Sequence, residues 1–333
     1  VKILITGAAG FVGCNLSKRL VENGHDVLAI DNYSTYYSIE LKEARVKTLL
    51  NPVGLQVKNI DICDENELSK LYNENNFEVV INLAAQAGVR LRLTEYDKYT
   101  QSNLNGFGNI LRMNLLHEVP NFLYASSSSV YGDHASIPYT ESEQNLSPNS
   151  FYGATKLANE ILAKGSTRNN KIKSRGLRLF TAYGPWGRPD MAYLRIINSA
   201  LQEKEFSLFG DGSVERDFTF VDDVTRTIDK LMIDLVDKPY GFSDLVNLGG
   251  GKPSSMLELI STVEAILDTK IKIKNKPKFE SDSKKTMADS QYLLHLLSDK
   301  PEIDLLTGVT TTINWAKQNY IISKLDNWID STK

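Results

Sequence analysis

Tyr152 and Lys156 stand four residues apart in Phe151-Tyr152-Gly153-Ala154-Thr155-Lys156, a spacing that puts both side chains on one face of a helix. A phenol titrates near about 10, and an adjacent ammonium favours the phenolate, so the pair suits a general base working at neutral pH. Taken alone, Tyr-x-x-x-Lys is also a common helix-surface pattern. Upstream, Ala125-Ser126-Ser127-Ser128-Ser129-Val130-Tyr131-Gly132 ends an apolar run. Its hydroxyls should emerge at the carboxyl edge of a sheet, where open α/β sheets bind ligands. Hydroxyl, phenol and ammonium gathered at one edge could hold an alcohol and deprotonate it.

A partner for that chemistry is written near the start of the chain. Thr6-Gly7-Ala8-Ala9-Gly10-Phe11-Val12-Gly13 follows one apolar run and opens a helical pattern. That context turns a glycine pattern into a dinucleotide site. Gly7 permits a tight turn, Gly10 lets a pyrophosphate approach backbone N–H groups, and Gly13 lets helix and strand pack closely. Asp31 lies 24 residues after Gly7, at the end of the second apolar run. Its carboxylate can accept from both adenosine ribose hydroxyls and would repel a 2′-phosphate. No arginine adjoins it in the sequence, so NAD is expected rather than NADP. Asp61 and Ile62, after the third run, are candidates to flank the adenine.

These groups need a frame. Apolar runs rich in Val, Ile and Leu recur at 2–6, 26–30, 55–60, 78–83, 121–125 and 175–180, and helical patterns at 11–23, 64–75, 96–118 and 151–164 lie between them. Continuous runs suit strands covered on both faces, so the expected fold is α/β, a Rossmann-type doubly wound parallel sheet. Asp64 is expected to cap its helix, with Glu67 completing a capping box. Beyond residue 180 the chain becomes dense in Gly and Pro over 183–190, and its strands shorten. Residues 1–180 are therefore expected to form the dinucleotide domain, and residues 181–333 a smaller substrate-binding lobe with some segments returning to the sheet.

Composition narrows the classes. A chain of 333 residues with 41% hydrophobic and 24% charged residues is that of an ordinary globular protein. A net charge of -3 offers no global positive field to a nucleic-acid backbone. The two cysteines, Cys14 and Cys63, and the four histidines are scattered, so neither a disulfide framework nor a metal site is expected. No run approaches the ~20 apolar residues of a membrane span, and no leader precedes the first apolar run. A cytoplasmic location is the expectation. Apolar faces on helices 96–118 and 151–164 would suit a four-helix contact in a homodimer.

The glycine loop, Asp31, the serine run and the Tyr152/Lys156 pair together resemble the extended short-chain dehydrogenase/reductase family, over nearly the whole chain. Three segments are closely similar to its sugar-nucleotide branch, and within it to UDP-glucuronate 4-epimerases. They are Leu83-Ala84-Ala85-Gln86-Ala87-Gly88-Val89-Arg90, Tyr183-Gly184-Pro185-Trp186-Gly187-Arg188-Pro189-Asp190, and Asn32-Tyr33 with Tyr36-Tyr37. The resemblance implies NAD as a tightly held cofactor and a UDP-sugar as substrate. It implies Ser127 as the hydroxyl that holds the sugar O4, Tyr152 as the base, and Lys156 as its partner and the grip on the nicotinamide ribose. Gly7, Gly10, Phe11, Val12, Gly13, Asp31, Asn32, Asp61, Ile62 and Asn103 are then expected around the cofactor, with Leu83, Ala84 and Ala85 beneath it. Ser128 and Ser129 join Ser127 on the substrate side. Arg216 matches an arginine that grips the UDP diphosphate, and Asp282 resembles a late acidic residue near the nucleotide. At that point Glu280-Ser281-Asp282 replaces the usual Pro-Gly-Asp. Arg178-Leu179-Phe180-Thr181 stands where the wider family has Arg-x-Phe-Asn, a change that the glucuronate epimerases share.

The serine run also bears on the reaction. Similar dehydratases carry an Asp-Glu pair before the Val-Tyr-Gly, and similar decarboxylases carry a Glu, whereas this chain has Ser128-Ser129. With no acid to protonate a leaving group or carbanion, a 4-ketone is expected to take its hydride back on the other face, linking UDP-glucuronate and UDP-galacturonate. A 4-keto glucuronate is a β-keto acid prone to lose CO₂, and a guanidinium is the natural restraint on its carboxylate. Arg188 is the expected clamp, with Arg90 and Thr181 as secondary candidates; the competing reading pairs Arg188 with Asp190. The alternatives are epimerisation of neutral UDP-hexoses, decarboxylation, and an NAD-binding regulator without turnover. Ser127, Tyr152 and Lys156, all intact, argue against the last. Trp186 could border the sugar or pack on its own loop, and Tyr33, Tyr36 and Tyr37 could cover the adenosine or fill the core.

Overall fold

A computed structural model describes residues 1–89, 95–168, 170–277 and 283–330. Two of the expected substrate contacts, Arg90 and Asp282, lie outside the described residues. The strands are β1 (Lys2–Thr6), β2 (Asp26–Asp31), β3 (Val57–Asn59), β4 (Val79–Asn82), β5 (Asn121–Ser127) and β6 (Lys173–Leu179), followed by six more. These are β7 (Thr181–Tyr183), β8 (Phe206–Phe209), β9 (Glu215–Phe220), β10 (Ser243–Leu248), β11 (Pro253–Ser255) and β12 (Ile273–Lys276).

Seven strands make one sheet in the order β10-β6-β5-β4-β1-β2-β3, and every pairing in it is parallel. The continuous apolar runs are buried on both faces, as the doubly wound expectation requires. Ile3 and Ile5 of β1 pack with Leu16, Leu20, Val224 and Ile228 on one side. Leu4 between them packs with Leu68, Leu71, Phe107 and Ile110 on the other. The third run shrinks to Val57–Asn59 because it is the sheet edge, where Lys58 and Asn59 face solvent. The fifth lengthens to Ser127, so the first two serines of the run are strand residues.

The helices follow the pattern with two departures. Asp64 caps Glu65–Asn73, accepting from the amides of Asn66 and Glu67, but its own amide donates to the Asp61 carbonyl, so Glu67 does not close a box. The helical stretch from Tyr96 is interrupted by a π-helical segment, Thr100–Gly106, before continuing as Phe107–Leu116. Such widened turns recur at functional sites, and this one carries Asn103.

Residues beyond 180 are interleaved with the sheet. The helix Val221–Val236 lies against Phe11–Glu22, tied by Arg19 to Thr225 and by Asn23 to Asp229, and β10 extends the sheet beyond β6. A separate apolar cluster gathers Tyr193, Ile197, Leu259, Val309, Trp315 and Trp328. The helix Ile39–Arg45, from the first half of the chain, inserts Leu41 and Ala44 into that same cluster.

One buried ion pair joins the helix Phe151–Thr167 to β6, and the same carboxylate reaches β5. Glu160, on the helix Phe151–Thr167, takes both Nε and Nη2 of Arg178 at 2.9 and 2.8 Å, and accepts from Ser126 at 2.5 Å. The guanidinium lies 4.7 Å from the Tyr131 ring centroid. Removing one partner strands a charge in the core, so Glu160→Ala should cost about 3–5 kcal/mol. A urea unfolding midpoint equal to that of the unaltered protein would contradict this.

Candidate active site

Strand order reverses between β1 and β4, which opens a crevice at the carboxyl ends of the strands. Both loops that leave this point are held together. Thr6 donates to Asn82 at 2.5 Å and accepts from the Ala84 amide at 3.1 Å. Gly7 turns beneath with φ +70, and a Cβ there would lie 2.8 Å from the Ala84 nitrogen. A Cβ on Gly13 would lie 2.1 Å from the Gly7 carbonyl oxygen, so the helix packs against the loop only because residue 13 is glycine.

Gly10 caps the helix Phe11–Glu22 without a side-chain hydrogen bond. Uncapped amides at a helix start form an anion site. The Phe11 side chain is buried and Val12 packs on the strand cluster, leaving their backbone amides as the groups on offer. Asp31 is buried, accepting from Ala9 N at 3.0 Å and Tyr33 N at 2.7 Å. A carboxylate with spare lone pairs, a turn of small residues and an uncapped helix start fit an adenine dinucleotide. The sequence showed no arginine beside Asp31, but the fold brings Lys42 to 3.8 Å from it. Burial lowers the Lys42 ammonium, against the pull of Asp31. Asn32 donates to Asp61 at 2.9 Å, and Asp61 accepts from Cys63 N at 2.8 Å, which fixes the turn that presents Ile62.

Leu83, Ala84 and Ala85 are half-buried along the β4 exit. Asn103 braces this loop from the π-helical segment. Its Oδ1 accepts from Gln86 N at 2.7 Å, and its Nδ2 donates to Gln86 O and to Thr155 Oγ1 at 3.0 and 3.1 Å. Tyr99 donates to the Ala87 and Gly88 carbonyls at 3.0 and 2.9 Å.

Across the crevice, Ser150 caps the helix Phe151–Thr167 by accepting from Gly153 N at 3.0 Å. A Cβ on Gly153 would lie 2.6 Å from the Ser129 carbonyl, so this glycine lets the helix seat its tyrosine beside the serine run. Ser127 hydrogen-bonds to the Tyr152 phenol and accepts from Ser129 N at 3.1 Å. Ser128 and Ser129 start a single 3₁₀ turn. Lys156 Nζ donates to the Ala125 carbonyl at 2.8 Å and sits 5.8 Å from the Tyr152 ring centroid. Burial lowers its ammonium to about 8.

Burial also pushes the Tyr152 phenol above its ordinary range, opposed first by the Arg188 guanidinium and then by Ser127. The Arg188 guanidinium thus acts on the phenol as well, while Lys156, whose ammonium donates to the Ala125 carbonyl, lies beside the Tyr152 ring. Arg188 itself donates from Nε and Nη2 to both oxygens of Asp190, at 3.1 and 2.6 Å. The competing sequence reading is therefore present, together with the electrostatic link to Tyr152. Burial disfavours both charges, yet each partner sustains the other: Asp190 stays below the usual carboxylate range. Nη1 of Arg188 has no hydrogen-bond partner among the described residues.

Thr181 lies half-buried on β7, opposite Phe218 of β9. Arg216, also on β9, donates to the Glu215 and Ser283 carbonyls at 2.9 and 2.8 Å. Trp186 does not line the crevice; it is buried with Trp315 at 5.3 Å between ring centroids. The three tyrosines diverge. Tyr37 enters the core, Tyr36 bonds to Asp190 beside Arg188, and Tyr33 gives its amide to Asp31. Sequence reading missed Lys42, Arg45 and Tyr99 as site-building groups. Lys42 and Arg45 did leave a trace, a three-residue spacing that sets two cations on one helix face.

Known proteins share this arrangement. Residues 3–244 match the NAD dependent epimerase/dehydratase family. UDP-glucuronate 4-epimerase 2 of Arabidopsis thaliana is 37% identical over 95% of this chain and 75% of its own length. A probable UDP-glucuronate 4-epimerase of Rhizobium meliloti (strain 1021) is 32% identical over 96% of this chain and 98% of its own. The crystal structure of UDP-glucuronic acid 4-epimerase from Bacillus cereus, in complex with UDP-glucuronic acid and NAD, superposes with a TM-score of 0.88 at 33% identity. It covers 96% of this chain and 99% of its own. The chain therefore belongs to the NAD dependent epimerase/dehydratase family.

Proposed function

We propose that the protein interconverts UDP-glucuronate and UDP-galacturonate by oxidising and re-reducing C4 of the sugar. The observation that carries this reading is Arg188. Its charge acts on the Tyr152 phenol, its Nη1 has no hydrogen-bond partner among the described residues, and the serine run before Val130 contains no carboxylic acid.

Bound NAD would accept the C4 hydride and return it. Ser127 holds the 4-hydroxyl next to Tyr152, and the Tyr152 phenolate, favoured by the Arg188 charge and the Ser127 hydroxyl, takes its proton. Lys156, fixed by Ala125, grips the nicotinamide ribose. Gly7, Gly10, Gly13 and the Phe11 and Val12 amides receive the pyrophosphate, Asp31 and Asn32 the adenosine ribose, and Asp61 and Ile62 the adenine. Leu83, Ala84 and Ala85 pass beneath the dinucleotide on a loop that Asn103 holds. Arg216 takes the diphosphate of the substrate, and Ser128, Ser129 and Thr181 border the sugar. Arg188 holds the uronate carboxylate away from the geometry in which the C–COO⁻ bond aligns with the ketone π system, so the 4-keto sugar survives to be reduced. Ser128 and Ser129 offer no acid to a dehydratase or decarboxylase route.

In this reading residues 181–333 form the nucleotide-sugar lobe, and two copies pair through exposed Leu116, Ile161 and Leu162 on the helices Phe107–Leu116 and Phe151–Thr167. We place the protein in the cytoplasm, which suits two unpaired cysteines, Cys14 and Cys63. No helix among the described residues is long and apolar enough to cross a membrane.

Two measurements follow from these charges. Arg188→Ala should lower kcat/KM for UDP-glucuronate by about a hundredfold, the scale of a lost charged hydrogen-bond pair, and should lower any residual turnover of UDP-glucose by less, since that substrate loses only the charge that acts on Tyr152. An equal loss on both, or none, would sink the clamp. For Lys156, the folded protein binds fewer protons than the unfolded chain between pH about 8 and the free-lysine value of about 10.4. Its stability therefore gains with rising pH across that window. With cofactor stripped, the stability of Lys156→Met relative to the unaltered protein should fall over the same window, read from urea midpoints. A pH-independent difference would contradict a buried ammonium there.

A further inference from the structure

Arg45 ends the helix Ile39–Arg45, is fully buried, and touches three separate parts of the chain. Its Nε donates to the Trp186 carbonyl at 2.7 Å and its Nη2 to the Gly187 carbonyl at 2.9 Å. Its Nη1 donates to the Ala9 carbonyl at 3.2 Å and to the Tyr37 hydroxyl at 2.6 Å, with the guanidinium 5.1 Å from that ring centroid. All four acceptors are neutral. A buried guanidinium without a carboxylate is costly, and it becomes favourable when an anion arrives nearby. Ala9 directly precedes Gly10, the uncapped start of the phosphate helix, and its N–H is held by Asp31. The Ala9 peptide is therefore clasped from both sides, by Asp31 at the amide and Arg45 at the carbonyl. At the other end, Trp186 adopts φ +63, a left-handed conformation unusual for a side chain of that size. Arg45 holds the carbonyls of Trp186 and Gly187, the two residues that precede Arg188.

We propose that Arg45 is a positioning residue that registers the Arg188 turn against the dinucleotide loop, and that its buried charge strengthens the hold on the dinucleotide phosphates. The substrate half of this inference rests on the reading of Arg188 as the uronate clamp; the cofactor half stands independently of it. One rigid guanidinium with five donors can span acceptors on two loops, which a lysine ammonium cannot do. Charge and span are thus separable by substitution.

Arg45→Lys and Arg45→Met are compared with the unaltered protein for the dissociation constant of NAD⁺ titrated into stripped protein. With saturating NAD⁺, the KM and kcat for UDP-glucuronate are measured, together with the fraction of product that has lost CO₂; circular dichroism and thermal midpoints monitor folding. Arg45→Met should weaken NAD⁺ by about tenfold or more, raise the KM and release CO₂. Arg45→Lys, which keeps the charge, should recover most of the NAD⁺ affinity and still release CO₂. NAD⁺ affinity and product identical to those of the unaltered protein in both variants would overturn the proposal. So would parallel losses in Lys and Met that track a lowered thermal midpoint, since those mark a merely structural role. If the unaltered protein fails to turn over UDP-glucuronate, the clamp reading falls, and the NAD⁺ titrations still decide the cofactor half.

Discussion

The proposed chemistry depends on one electrostatic constraint: the Tyr152 phenol, which burial pushes above its ordinary range, must still give up a proton near neutral pH. Burial drives Tyr152 the wrong way, and only the Arg188 charge and the Ser127 hydroxyl oppose it. Arg188 is itself half-buried and is held by both oxygens of Asp190, which in turn bonds to Tyr36. The base, its cation and the carboxylate that steadies the cation therefore form a chain of dependence. The base comes from the helix after β5, the cation and its carboxylate from the turn after β7, and Tyr36 from the loop after β2.

The doubly wound sheet is the means of bringing these elements to one place. Parallel strands all end at the same edge, so the glycine loop, the Leu83–Gly88 loop and the serine run leave the sheet side by side. Tight contacts then fix their spacing. Gly7 against Ala84, Gly13 against Gly7 and Gly153 against Ser129 each leave no room for a Cβ. The glycines on the two sides of the crevice set the distance between cofactor and base as firmly as any polar contact. Helix Ile39–Arg45 then ties this edge to the later lobe, with Leu41 and Ala44 in that lobe's core and Arg45 across both loops.

Much of this was legible in the sequence wherever the signal was local. The apolar runs located the strands to within a few residues, because a strand buried on both faces needs an unbroken apolar stretch. The glycine spacing and the Tyr152/Lys156 spacing are likewise set by one loop and one helix. What could not be read is what long-range contacts decide. Arg45 meets Trp186 across 141 positions of sequence. Lys42 reaches Asp31 only because the intervening chain folds back, and Arg188 acts on Tyr152 from a different element of the fold. Trp186, legible either as a sugar wall or as core, was settled by Trp315, far along the chain.

The central claim is that C4 is oxidised and re-reduced at Tyr152 with the carboxylate kept. UDP-glucuronate carrying deuterium at C4 tests it most directly, with the product followed by mass spectrometry and proton NMR. The account predicts UDP-galacturonate of unchanged mass that retains deuterium at C4, because the hydride that leaves is the one that returns. Loss of CO₂, exchange of the label with water, or inversion at a carbon other than C4 would contradict it.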